Sequence, residues 1–531
     1  MYDAEWMKAG LRPLAPVWAP KIDAPVVAPN APRKTDGIYV PDDATRHVVG
    51  LNDKPTRSSH PRSVAVVTSA SDPSALAMCE QLAKAGYTVV LTCRDQAAGK
   101  ALAQRLRKQG GDVVFQRLDV DNPRSLKSLA GYIEQTYGRV DLLVNHPPPV
   151  RESSGGIAGS SSEALKTSIE GQVLGALAVV QALGPMMKKA KSGQILNVSS
   201  KQGRMHALQL GSPADKMAKA AINTMTAILA DELKDAGIKI NTLDVGSTND
   251  SVAWLANEEI PSGAFVAHGA VQPSIAAVEL PKISRTKPPP AHPVALVTGG
   301  TAGMGLETCR QLAEQGYRVV MTGRSEAKGE ALAEAMRAEG LDVAFEKLDV
   351  TIAADADRVA AKLKAKYGGV DVVINNAGVL HEPLAQMGDR DGGGLLAIDP
   401  QKMSATLETN TLGPINLAKS MAPLMKARGG GKIINISSLL AREESLAVGL
   451  PAYRISKAAL NVATVLLAKE LAADGITVNA VDPGWVKTSL GGDQAPKSVR
   501  EGARTAVWLA TSEAGAVETG GFFEDERRSR W

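Results

Sequence analysis

The sequence predicts a doubly wound α/β fold built twice in tandem, and three observations carry that expectation. At 531 residues the chain is long for one hydrophobic core. It matches itself: a shift of 230 lays VVTSASDPSALAMCEQLAKAGYTVVLTCRD on LVTGGTAGMGLETCRQLAEQGYRVVMTGRS. Within each copy, short β-branched runs alternate with amphipathic stretches, which implies parallel strands joined by helical crossovers. The self-match runs far beyond one motif. After QMGDRDGGG (386–394) the shift becomes 238, so the second copy carries eight extra residues there, and QILNVSS falls on KIINISS. At Trp254 the shift is 254, which marks a sixteen-residue deletion in the first copy between Ser251 and Trp254. A period this long is a duplicated domain, not a solenoid.

Taken in order, residues 1–61 hold nine prolines and no periodicity, and read as an extended or disordered N-terminal arm. Residues 62–268 form the first copy, with VAVV, TVVL, VVFQ, DLLVN, QILNV and KINTL as its strands. Residues 269–291, running into KPPPAHP, read as a semi-stiff linker, and 292–531 form the second copy.

Composition excludes several functions. A net charge of +4 without a Lys/Arg cluster offers nucleic acid no field. No uninterrupted apolar run reaches the ~18 residues of a membrane span. The N-terminus lacks the basic-then-apolar order of a secretory signal, and Asp3 and Glu5 make it a poor transit peptide. Three cysteines without CxxC spacing suit a reducing compartment, which leaves the cytoplasm or, alternatively, an organelle matrix or stroma. Seven scattered histidines show no metal-ligand spacing, so no metal is expected.

The chemistry gathers in the second copy. Gly299, Gly303 and Gly305 lie between the strand PVALV and the helix LETCRQLAEQG. Glycines there let a turn close, let backbone approach a pyrophosphate, and leave a helix N-terminus aimed at the anion; such turns also serve as plain loops. In VVMTGRS, Gly323 stands where an acid would bind ribose hydroxyls, and Arg324 follows. Arg324 suits a 2′-phosphate, or serves as a solvated surface residue. Asp349 ends the third strand and NNAG (375–378) the fourth; Tyr453 and Lys457 share a helix face, with Ser438 and Asn410 upstream.

Together TGxxxGxG, NNAG, Asn410, Ser438 and YxxxK resemble the short-chain dehydrogenase/reductase family over residues 292–525, and PGWVKT (483–488) is similar to its carbonyl-reductase-like members. The resemblance implies two tandem Rossmann-like domains and an NADP(H)-dependent oxidoreductase interconverting a carbonyl and an alcohol, with NAD(H) the less suited cofactor. It implies a catalytic set of Asn410, Ser438, Tyr453 and Lys457. Lys457 would draw the Tyr453 phenol toward neutral pH, Ser438 would hold the carbonyl oxygen, and Asn410 would place a water beside Lys457. It implies cofactor contacts at Gly299, Thr301, Gly303, Met304, Gly305, Arg324, Asp349, Val350, Asn376, Ala377, Gly378, Tyr453, Lys457, Pro483, Gly484, Val486 and Thr488. Residues 487–507 would form a mobile lid over a small-molecule substrate.

The first copy has lost this set. Ser69, Pro73 and Ala75 replace the three glycines, His146 follows Asn145, Gln172 replaces Asn410, and Asp215 replaces Tyr453; only Ser200 and Lys219 persist. Its apolar stripes survive, so it reads as a degenerate pseudo-domain, and one cofactor is expected per chain. The stripes on 164–190 and 213–236 are expected to pack on 404–427 and 453–474 as an intramolecular pseudo-dimer, with a further oligomer or larger assembly through the arm left open. The competing function is a non-catalytic structural subunit of a larger complex. The substrate is not legible.

Overall fold

The computed structural model describes residues 62–147, 156–200, 203–204, 208, 212–244, 260–267, 270–271, 281, 290–386, 394–442, 449–513 and 515–531. The arm, most of the linker and the deletion point before Trp254 therefore lie outside the described residues. Residues Arg62–Trp531 form a compact unit.

Two eight-stranded sheets organise it. In the first, β1 (Val64–Val67), β2 (Thr88–Cys93), β3 (Val113–Arg117), β4 (Leu142–Asn145), β5 (Gly193–Ser199), β6 (Ile238–Asp244), β7 (Phe265–Ala267) and β8 (Ala270–Val271) lie in the order 3-2-1-4-5-6-7-8. In the second, β9 (Val294–Val297), β10 (Arg318–Gly323), β11 (Val343–Lys347), β12 (Val372–Asn375), β13 (Gly431–Ile436), β14 (Ile476–Asp482), β15 (Phe522–Glu524) and β16 (Arg527–Ser529) repeat that order. Only the last pair of each sheet, β7–β8 and β15–β16, is antiparallel. The central strands are buried along their whole length because helices cover both their faces.

Helices α1 (Pro73–Lys84), α2 (Gln96–Lys108) and α3 (Pro123–Thr136) cross between strands of the first sheet, followed by the short α4 (Gly156–Gly159), then α5 (Ser162–Ala190) and α6 (Pro213–Leu233). The second sheet has α7 (Gly303–Glu314), α8 (Glu326–Ala338), α9 (Ala353–Tyr367), α10 (Pro400–Leu407), α11 (Gly413–Ala427), α12 (Pro451–Leu471) and α13 (Val499–Thr511). Strand order reverses between β1 and β4 and between β9 and β12, and such a switch point opens a crevice at the carboxyl ends of the strands.

One apolar core runs through both copies. Leu165, Ile169, Leu177 and Leu183 of α5 are buried in it with Met403, Leu407, Ile415 and Met421, as are Met217, Ile228 and Leu229 of α6 with Ile455, Leu466 and Leu467 of α12. Helix α6 packs along α12, and α5 along α10 and the turn after it. The polar contacts repeat in both directions. Glu470 accepts from the amides of Ile157 and Ala158 at 2.7 and 3.2 Å, and Glu232 accepts from those of Leu395 and Leu396 at 2.7 and 3.2 Å. Gln181 donates to the Ile398 carbonyl at 3.0 Å while Lys419 donates to that of Ser160, and Lys166 pairs with Glu408 while Ser404 donates to Glu170. Each pair of partners is related by the 238-residue shift, so the contact is self-complementary, as in a two-fold interface. Helix α5 is, by length and composition, apolar enough to cross a membrane, yet more than half of its apolar stretch is buried inside the protein.

Candidate active site

The glycine turn and the NNAG segment meet at the β9/β12 switch point. The amide of Thr298 donates to the Ile374 carbonyl at 3.0 Å, and the Thr298 hydroxyl accepts from the amides of Asn376 and Ala377, both at 3.0 Å. Asn376 returns a bond from Nδ2 to the Thr298 carbonyl at 2.9 Å. Gly299 has φ of 62°, and a Cβ on Gly305 would stand 2.3 Å from the Gly299 oxygen. Both positions therefore need glycine, for the turn and for the close approach. Helix α7 then starts at Gly303, and its N-cap, Ala302, gives the first amides no side-chain cap. That leaves an anion cradle.

The first copy fills the same cradle with its own atoms. Ser69 keeps a φ of 53°, and the buried Ala75 puts a Cβ in the place of Gly305. Asp72 caps α1, its carboxylate accepting from the Ser74 amide at 2.8 Å and the Ser74 hydroxyl at 2.5 Å. Nε2 of His146 lies 2.7 Å from that hydroxyl. Burial lowers the His146 imidazole to about 4, so it is neutral at pH 7. Burial pushes the Asp72 carboxyl up, but the Ser74 bonds outweigh it and the group sits below the ordinary range. A carboxylate at the helix N-terminus repels a phosphate.

Arg324 is exposed at the end of β10 and has no ion pair among the described residues. It lines a groove of about 630 Å³ with Lys347, Asp349 and Arg358. Its counterpart Arg94 is tied to Asp119 at 3.0 Å and to Asp121. In the second copy Thr351 replaces Asp121, and its hydroxyl donates to Asp349 at 2.8 Å. Val350 packs against Gly413, where a Cβ would meet it at 2.9 Å.

Tyr453 and Lys457 sit on the first two turns of α12, with the Lys457 ammonium 5.5 Å from the phenol ring centroid. Lys457 donates to the Ile436 carbonyl at 2.7 Å, and burial lowers it to about 8. Burial raises the Tyr453 phenol, the Asp482 carboxylate adds to the rise, and a hydrogen bond with Ser438 works against it. The tyrosine–lysine pairing implied a lowered phenol; burial and the Asp482 carboxylate push it the other way.

Asn410 stands in a π-helical turn, Glu408–Leu412, between α10 and α11. Its Oδ1 accepts from the Val379 amide at 2.8 Å, and its Nδ2 donates to the Val379 carbonyl and the Ser456 hydroxyl at 2.9 and 3.1 Å. The side chain is thus tied to the loop after NNAG; a Cβ on Gly378 would lie 3.4 Å from Asn410 Oδ1 and 3.8 Å from Lys457 Nζ. The matching stretch of the first copy runs through α5 as an unbroken 29-residue helix, with Gln172 bonded to Asp215 at 3.2 Å. π-Turns inside helices recur at functional sites, and here the turn separates the two copies.

The expected lid is largely folded. Val486 bridges Lys497, Trp485 donates to the Gly491 carbonyl at 2.7 Å, and a capping box at Ser498 and Glu501 starts α13. Met304 and Thr488 join the glycine turn to this segment: Thr488 is 3.2 Å from where a Gly303 Cβ would be, and Met304 3.3 Å from a Gly502 Cβ. Pro483 and Gly484 open this loop, and Thr301 packs against Gly323.

Sequence reasoning missed Glu382. Buried in the loop after NNAG, it accepts from the amides of Ala452 and Tyr453 at 2.6 and 3.3 Å and so caps α12, whose own N-cap, Leu450, has no capping side chain. Its spacing from Tyr453 carries no sequence signal, because the contact is tertiary. Among the described residues no three His, Cys, Asp or Glu side chains converge as metal ligands.

The short chain dehydrogenase family pattern matches residues 63–260 and again 293–498. The chain belongs to the short-chain dehydrogenase family. It is a tandem member and an oxidoreductase. It is 30% identical over 283 residues to carbonyl reductase [NADPH] 1 of Pongo abelii, covering 44% of this chain and 96% of the relative. It is 35% identical over 223 residues to 3-oxoacyl-[acyl-carrier-protein] reductase FabG of Staphylococcus aureus, covering 41% and 83%. A gluconate 5-dehydrogenase of Burkholderia cenocepacia, solved with NADP and tartrate, aligns over 44% of this chain and 94% of its own at 28% identity and a TM-score of 0.40.

Proposed function

We propose that the second copy, 292–531, is an NADP(H)-dependent carbonyl reductase, and that the first, 62–268, is a structural pseudo-domain without cofactor. The observation that carries this reading is the contrast between the two cradles. Glycine and an uncapped helix leave room for a pyrophosphate in one, while Asp72, Ser74 and His146 occupy the other. Carbonyl reductase [NADPH] among the relatives supports the cofactor and the substrate class.

The residues present fit the cofactor. Gly299, Thr301, Gly303, Met304 and Gly305 would hold the pyrophosphate, and Arg324 the 2′-phosphate. Asp349 and Val350 would flank the adenine, Asn376, Ala377 and Gly378 the adjoining ribose, and Pro483, Gly484, Val486 and Thr488 the nicotinamide. When bound, the nicotinamide supplies the hydride. The chain supplies the rest. Ser438 donates to the carbonyl oxygen, and Tyr453, held protonated by burial, hands that oxygen its proton. Lys457 stabilises the phenolate left behind and holds the ribose, and Asn410 fixes the loop beside it. A phenol that keeps its proton at neutral pH is matched to reduction.

We read the packing of α5 and α6 on α10–α12 as a pseudo-dimer in which the inert copy holds the YxxxK helix from behind. The test is titration of the purified chain with NADPH and NADH, then a carbonyl panel. One site per chain and NADPH-dependent reduction support the reading; saturation at two refutes the pseudo-domain.

A further inference from the structure

Asp482 ends β14 and is only 4% exposed. Its Oδ1 accepts from the amide of Leu439 at 3.0 Å, the residue after Ser438. Its Oδ2 accepts from the amide of Gly484 at 2.9 Å, inside the loop assigned above to the nicotinamide. One carboxylate therefore ties together the two loops that must converge on a bound carbonyl. An amide in its place has one acceptor oxygen and satisfies one of these donors.

The same group acts on Tyr453 through its charge, disfavouring the phenolate. The charged groups that face it are Glu524 on β15, which adds to its negative surroundings, and Lys497 before α13, which offsets them. Lys497 is itself engaged by Asp525 at 2.7 Å. Burial pushes the Asp482 carboxyl up to about 6, with Glu524 adding to the rise and the two amides and Lys497 opposing it.

We propose that Asp482 is a positioning residue for the reaction: it fixes the Ser438 loop against the Pro483–Gly484 loop and bears on Tyr453 through its charge. The inference rests on the reading of the second copy as a carbonyl reductase. Two consequences separate it from a merely structural role. With Asp482 neutralised, Tyr453 ionises at lower pH, a shift read on the phenol itself. As pH falls through about 6 the carboxyl gains a proton, one oxygen becomes a poor acceptor, a loop bridge weakens and kcat falls.

The experiment is an ultraviolet titration of tyrosinate in full-length protein, with Tyr453→Phe subtracted to isolate the Tyr453 phenol. In Asp482→Asn the phenol is expected to ionise roughly 0.5–1.5 pH units lower, the effect of one nearby unit charge at an effective dielectric constant near 20. Coincident curves overturn the proposal. Should Asp482→Asn fail to fold, Glu524→Gln carries the test, because it leaves both bridges in place. Removing that charge lowers the Asp482 carboxyl and should shift the acid limb of kcat below that of wild type; an unmoved limb overturns the proposal. A wild type that reduces no carbonyl while the phenol shift is present upholds Asp482 and sinks the functional reading. Turnover without the shift does the reverse.

Discussion

Glu232 and Glu470 lie 238 residues apart, and each accepts two backbone amides from the other copy at 2.7 and 3.2 Å. Duplication placed the same acceptor at the same helix end twice, and the fold turned each one toward its counterpart's backbone. The first copy is thus bound into the molecule by the surface it would show a twin. Its replaced glycines and tyrosine leave that surface intact.

Glu232→Ala and Glu470→Ala should each destabilise the protein by about 1–3 kcal/mol, because each strands at least one buried or half-buried amide, Leu395 and Leu396 in one case and Ile157 in the other. Thermal denaturation reads this directly. Strongly unequal effects would mean that the two-fold correspondence is geometric only. An isolated 292–531 fragment should aggregate or lose activity, since Leu466, Leu467 and Met421 would meet water.

Tyr453→Phe should lower turnover by about 10²–10⁴-fold while NADPH still binds, because the phenol acts on the proton and the glycine turn on the phosphates. Fluorescence titration of NADPH beside steady-state kinetics separates the two. Wild-type turnover in this variant would remove Tyr453 from the mechanism.

NADPH should bind more tightly than NADH, and Arg324→Ala should erase roughly 10-fold or more of that preference, the usual size of a charge-assisted bond. The warrant is that Arg324 has no ion pair among the described residues whereas Arg94 is held by two aspartates. Competition binding measures it, and an unchanged ratio would shift the task elsewhere in the groove.

Reduction should decline as pH rises through about 8, where Lys457 loses its charge. Burial has lowered this ammonium, so the charged form is present below that pH and absent above it. A kcat profile flat well past pH 8 would show that a bound nicotinamide ribose restores the lysine.

Glu382→Ala should cost α12 its cap, about 1 kcal/mol, and reduce kcat more than the KM for NADPH. Glu382→Gln keeps one acceptor oxygen and should recover most of the loss. Equal damage in both variants would point to the charge rather than the cap.

The sequence by itself determined the duplication, the fold class, the glycine turn and the YxxxK helix. Each of these rests on local chemistry: strand periodicity, positive φ at Gly299, or two side chains four residues apart. It also determined that the first copy lacks its glycines and its tyrosine. Only the tertiary structure decided how the replacements pack together. His146 and Ser74 are 72 residues apart in sequence and 2.7 Å apart in space, and nothing local foretells that contact. The π-turn at Asn410 and the cap from Glu382 were likewise invisible, because both depend on neighbours brought in by the sheet. The direction of the Tyr453 shift belongs to the same class. Spacing alone pairs the phenol with Lys457, whereas burial and the Asp482 carboxylate, known only from the packed site, set the balance the other way.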